Sequence, residues 1–177
     1  MKNRNTIEVL RHSRHDWLNK IQLIKANLAL QRYERIEDLI SEIVMEAHHE
    51  ACLSNLQAPQ FVEYILTFSW EPKFFSIEYE ILNNPKNLSE HDEKLFTAFQ
   101  SLFETIENSA DKRAENKLFF SIECEDGFVR FFFDLSGIIL ENNNVKMWFE
   151  SENCIFTNVN QNGTDLEYTV ECELKLT

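Results

Sequence analysis

From Ile7 the apolar positions run Ile7, Leu10, Trp17, Ile21, Ile24 and Leu28, a three-and-four spacing interrupted once, by Arg14. That period predicts a helix with a coiled-coil-like seam, and it places Trp17 in the core rather than in a site. After a break near Gln31 to Tyr33, the positions Ile36, Leu39, Ile40, Ile43, Val44 and Ala47 describe a second helix that ends around Ser54 to Ala58, before Pro59. Two consecutive helices with a short connection pack antiparallel as a hairpin. A lone hairpin leaves part of each seam in water. Pairing two hairpins into a four-helix bundle would bury roughly ten large side chains at ~1.5–3 kcal/mol each, more than association costs. Residues 5–55 therefore predict a homodimer; the plainer alternative is a hairpin packed on its own second domain as a monomer.

The period changes from Gln60 onward. Ile77, Tyr79 and Ile81 alternate with Glu78 and Glu80, as a half-buried strand does. Ser89 opens a helix with Asp92 as a capping-box-like partner and Leu95, Phe99, Leu102 and Ile106 as its buried stripe. Leu118 to Glu125 and Phe128 to Leu135 flank Asp126-Gly127, which predicts a hairpin on a type I′ turn. Cys154 to Val159 and the alternating run Leu166 to Leu176 flank Asn162-Gly163 and predict another. The fold class is α+β: a helical hairpin over residues 1–58, then an α/β sandwich over residues 59–177, with antiparallel strands covered by at least one helix.

Composition narrows the function classes. A chain of 177 residues, 44% hydrophobic and 12% aromatic, can bury a core. No stretch approaches the ~18 uncharged apolar residues of a membrane span, so the expected location is the cytoplasm. The formal charge of −13 argues against nucleic acid as a partner. Cys52, Cys124, Cys154 and Cys172 fit neither a zinc pattern nor a disulfide scaffold and are expected as buried thiols. Charge is unevenly placed: residues 1–25 carry six basic side chains against Glu8 and Asp16, a net +4 that leaves −17 for the remainder. A basic first segment on an acidic chain points to an anionic partner or substrate there.

The candidate chemistry lies in that segment. If Trp17, Ile21 and Ile24 face the bundle core, His12, His15, Asn19 and Gln22 share a neighbouring, wetter face. A neutral imidazole accepts a phosphoryl group near neutral pH, because one ring nitrogen is free to attack. Asp16 can hold the nucleophilic tautomer of His15, Asn19 can position the ring or the phosphoryl oxygens, and Arg11, Arg14 and Lys20 supply positive charge for a phosphoryl group of about −2. The competing readings are a solvated histidine, and an ordinary Asp16–Lys20 helix pair worth ~0.2–0.5 kcal/mol. A metal site from His12, His15, His48, His49 and Glu46 or Glu50 also competes, although adjacent His48 and His49 cannot share a helix face.

The run HSRHDWLNKIQLIKANLAL, residues 12–30, closely resembles the phosphorylation helix of the sporulation initiation phosphotransferase B family, and His15-Asp16-x-x-Asn19 resembles the phosphoacceptor box of a class of sensor histidine kinases. LSNLQAP at 53–59 and IEYEIL at 77–82 are similar too. The resemblance implies a homodimer built on a central four-helix bundle, with second domains related to kinase ATP-binding domains. It implies a histidine, here His15, that takes a phosphoryl group from the aspartate of a single-domain response regulator. That group passes to the aspartate of a second, transcription-factor regulator controlling sporulation. Asp16, Asn19, Lys20 and Gln22 match the histidine's surroundings. No cofactor is expected on the chain itself, since Mg2+ belongs to the regulator's acidic pocket.

The departures from a kinase are informative. FETIENSA, residues 103–110, resembles the asparagine-rich helix with Asn108 in place and Glu104 where an asparagine is usual. Asp134-Leu135-Ser136-Gly137-Ile138 resembles a remnant of the first glycine loop. With only Gly127, Gly137 and Gly163 in the chain, a second such loop is not expected, and in SGIILENNN at 136–144 Glu141 would repel a triphosphate if it pointed inward. The rival functions are an ATP-dependent sensor autokinase and a non-catalytic dimeric regulatory module.

Overall fold

The computed structural model describes residues 6–140, 142–151, 154–164 and 166–176; Lys2 and Arg4 of the basic segment, and Glu141, lie outside them. The chain divides into two compact units, Met1–His48 and His49–Thr177.

In the first unit, α1 (Thr6–Ala29) and the larger part of α2 (Tyr33–Ser54) form the hairpin. The turn is made without glycine. Gln31 takes φ +56°, and the Arg32 amide donates back to the Asn27 carbonyl at 3.0 Å, closing the end of α1. The short turn sets the helices antiparallel, which brings Lys20 on α1 to Glu46 on α2 as an ion pair. Leu39 is buried and Ile24, Ile36 and Ile43 are half-buried. Leu10, Trp17, Ile21 and Leu28 stay between 51 and 55% exposed, and Ile40 and Val44 are exposed on α2. Trp17 therefore belongs to an apolar seam on the surface of a single copy, not to its core.

The second unit is a five-stranded sheet with helices on one face. After α3 (Pro59–Leu66) come β1 (Ser76–Leu82), α4 (Asp92–Ser109), β2 (Lys117–Glu125), β3 (Phe128–Ser136), α5 (Asn142–Phe149), β4 (Thr157–Gly163) and β5 (Glu167–Lys175). The strand order is β1-β2-β3-β5-β4. The expected antiparallel pairing holds for β2 with β3, β3 with β5 and β4 with β5, while β1 and β2 are parallel, which makes the sheet mixed. The α4 crossover between them dictates it, since a chain that leaves one strand end and returns along a helix re-enters in the same direction. Phenylalanines tie the layers together. Phe61 of α3 meets Phe99 of α4 edge-on at 4.7 Å, Phe99 meets Phe120 of β2 at 5.3 Å, and Phe149 of α5 lies 5.5 Å from Phe133 of β3.

Three local expectations are corrected. Asp92 does not cap its own helix: its buried carboxylate accepts the Phe61 amide at 2.9 Å and the Gln60 amide at 3.1 Å, capping α3 instead. Gly127 alone has positive φ in the Asp126-Gly127 turn, so the turn is not type I′, which needs both residues there. Asn162 and Gly163 are strand residues, opposite Thr169 and Tyr168, so that hairpin turns later in the chain.

Candidate functional site

α1 carries His15 on a face that the hairpin leaves open, with the side chain 70% exposed. Nothing buries the ring, so its orientation comes from its neighbours on the same helix. Asp16 Oδ1 lies 3.3 Å from His15 Nδ1, and Asn19 Nδ2, one turn on, lies 3.3 Å from that same nitrogen. An ionised carboxylate only accepts, so pairing with Asp16 puts the proton on Nδ1 and the lone pair on Nε2. Asn19 can join that arrangement only with its amide oxygen turned to the ring, an orientation fixed by the hydrogen-bond pattern rather than by the heavy atoms. Both neighbours thus address Nδ1 and leave Nε2 as the nitrogen that can attack a partner's electrophile.

The other expected residues divide. Arg11, Arg14 and Gln22 are exposed on α1, and His12 is half-buried. Lys20, whose ammonium also sits 5.8 Å from the Trp17 ring centroid, is committed to Glu46 across the hairpin. It therefore braces α1 against α2. His49 is not fully solvated. It is half-buried in the second unit, where its Nδ1 accepts the Ile81 amide at 3.1 Å and so occupies a donor on the open edge of β1. Among the described residues no group of three or more His, Cys, Asp or Glu side chains is placed to hold a metal ion.

The four cysteines form no disulfide with one another, and three of the four are buried. Burial, with Cys154 and the Glu171 and Glu173 carboxylates as smaller causes, raises the Cys172 thiol well above its ordinary value. Asn108 is exposed at the end of α4. The Gly137 segment is structural: the buried Asn116 accepts the Ile138 amide at 2.9 Å through Oδ1, while its Nδ2 lies 3.0 Å from the Phe74 carbonyl and 2.9 Å from the Asp111 carbonyl. Sequence reasoning missed this clamp, because a lone asparagine before a strand carries no pattern.

Residues 1–56 match the family described as the alpha-helical domain of SpoOB-type sensor kinases, and residues 57–175 match the C-terminal region of sporulation initiation phosphotransferase B. The chain belongs to the sporulation initiation phosphotransferase B family. Sporulation initiation phosphotransferase B of Bacillus subtilis (strain 168) is 43% identical over 119 residues, 67% of this chain and 62% of that protein. The match thus spans a little under two thirds of that relative's length. Among solved structures, the Acinetobacter baumannii histidine kinase AdeS aligns over 92% of this chain and 98% of its own at 10% identity and a TM-score of 0.45. The Erythrobacter litoralis EL346 blue-light activated histidine kinase aligns over 99% and 62% at 11% identity and 0.43. The fold assignment rests on the chain's own strand order and packing.

Proposed function

We propose that this chain is a phosphotransferase of a sporulation phosphorelay, with Nε2 of His15 as the atom that carries the phosphoryl group. The observation that carries the reading is the family's helix presented with His15 exposed and its Nδ1 engaged by Asp16 and Asn19. In the first step Nε2 attacks phosphorus, an N–P bond forms as the acyl phosphate O–P bond of a response regulator breaks, and the regulator's aspartate leaves as carboxylate. The Nδ1 proton stays in place beside Asp16, which stabilises the positive ring. In the second step the aspartate of a second regulator, one controlling sporulation, attacks phosphorus and His15 leaves as neutral imidazole. Mg2+ comes with the regulator's acidic pocket, while Arg11 and Arg14 meet that pocket with positive charge.

The working state is a homodimer in which two hairpins bury each other's seams as a four-helix bundle, supported by the four half-exposed apolar side chains along α1. Residues 1–58 carry dimerisation and transfer. Residues 59–177 are a scaffold that binds no ATP, so the protein is loaded by a phosphorylated partner in the cytoplasm. Incubation with a labelled phosphoregulator tests this. The label should move to this chain as an acid-labile, base-stable species, and a transferred label with acyl phosphate lability, or none, would refute it.

A further inference from the structure

The second unit's sheet has a face that, among the described residues, no helix of that unit covers. Core side chains such as Phe120, Phe131 and Val170 lie on the helical side. The opposite face is formed by even-numbered residues of β1 and β3 and odd-numbered residues of β2 and β5, as the pairing register requires. A solvated face of this kind ordinarily reads polar along every strand. Here it does not. β2 places Phe119, and β3 places Phe128 and Phe132, on the outward side of the two strands at the middle of the sheet, each half-buried. The pairs Phe119–Asp134 and Ser121–Phe132 set Phe119 and Phe132 at diagonal neighbouring positions.

Charge surrounds them. These outward positions hold eight carboxylates and only the three cations Lys117, Arg130 and Lys175, a net −5. Two of the cations are already engaged: Lys117 pairs with Glu78 at 2.6 Å, and Arg130 sits between Glu123 at 2.8 Å and Glu171 at 3.4 Å. Asp134, opposite Phe119 in the register, and Glu80, opposite the Ser121 that lies between Glu80 and Phe132, are not ion-paired to a cation among the described residues. Such a surface repels nucleic acid and acidic lipid and complements one chemistry, cations next to an apolar side chain.

We propose that this face is a docking surface for a lysine- and arginine-bearing protein segment, with an apolar side chain of the segment seated between Phe119 and Phe132 and its cations on Glu80 and Asp134. The face is built only from residues of the second unit, so the proposal adds a partner site to the chain rather than a step to the transfer.

The test uses the full-length protein, labelled for NMR, titrated with a twelve-residue peptide carrying four arginines and three leucines. Amide shifts should concentrate on β1, β2 and β3. Glu80→Gln with Asp134→Asn should weaken binding about tenfold, and Phe119→Ser with Phe132→Ser should weaken it as much with the charge unchanged. Glu90→Gln with Glu93→Gln, at exposed positions before and within α4, removes the same charge elsewhere and should leave affinity alone. Because the Phe variants touch packing, the Glu80 and Asp134 pair, which lies outside the core, decides the matter if they unfold. Shifts spread over the whole surface, equal weakening by the Glu90 and Glu93 control, or no binding at about 1 mM peptide would overturn the proposal.

Discussion

At the scale of single residues, the proposed chemistry reduces to one ring and what holds it. Asp16 and His15 are both exposed, so replacing either should leave the fold intact, and any loss belongs to the reaction. Asp16→Asn should slow transfer by on the order of 10²-fold, because a neutral amide no longer fixes the Nδ1 proton or stabilises the charged ring. Stopped-flow or rapid-quench transfer from a phosphoregulator measures it, and an unchanged rate would remove Asp16 from the account. Asp92 is the opposite kind of carboxylate, buried and structural. Its two backbone hydrogen bonds cap α3, so Asp92→Ala should cost about 1–2 kcal/mol of stability, read from urea unfolding, while transfer by the folded fraction stays unchanged.

Elements show where the sequence was readable and where it was not. The hairpin was legible because its seam repeats over many turns, and β1, β2, β3 and β5 because alternation is a strong signal when one face is buried. α3 and α5 escaped. Each spans only eight residues, too few for a period to establish itself, and α5 begins in an asparagine run that reads as loop. Turn chemistry misled twice for the same reason, since Asp-Gly and Asn-Gly permit a type I′ turn without requiring it. Of the candidate site, His15 and its same-helix partners were legible from spacing and resemblance. The Lys20 to Glu46 brace and the His49 bond to β1 were not, because they join residues 26 and 32 positions apart. The Asn116 clamp carries its own test. Gly137 has φ +135°, and a Cβ there would lie 2.4 Å from Asn116 Oδ1. Gly137→Ala should therefore destabilise by more than ~1 kcal/mol, and an unchanged unfolding midpoint would mean that the clamp is dispensable.

At the scale of the whole molecule, burial of thiols ties stability to pH. Cys172 titrates from 9.0 in the unfolded chain, and burial raises it in the folded one. A raised acid contributes stability that is fully present below the unfolded value and lost as pH climbs past it. The unfolding midpoint should hold steady through neutral pH and fall above about pH 9, and Cys172→Ala should flatten that fall, whereas an identical decline in the variant would assign it to other groups. The proposed function at this scale is the movement of one phosphoryl group through two partners, and it is tested most directly by the reconstituted relay. Mix a labelled phosphoregulator with this chain and a second regulator, and compare wild type with His15→Ala, which is exposed and keeps the hairpin. Label should pass through wild type to the second regulator and stop at the first with the variant; label reaching the second regulator through His15→Ala at the wild-type rate would contradict the account.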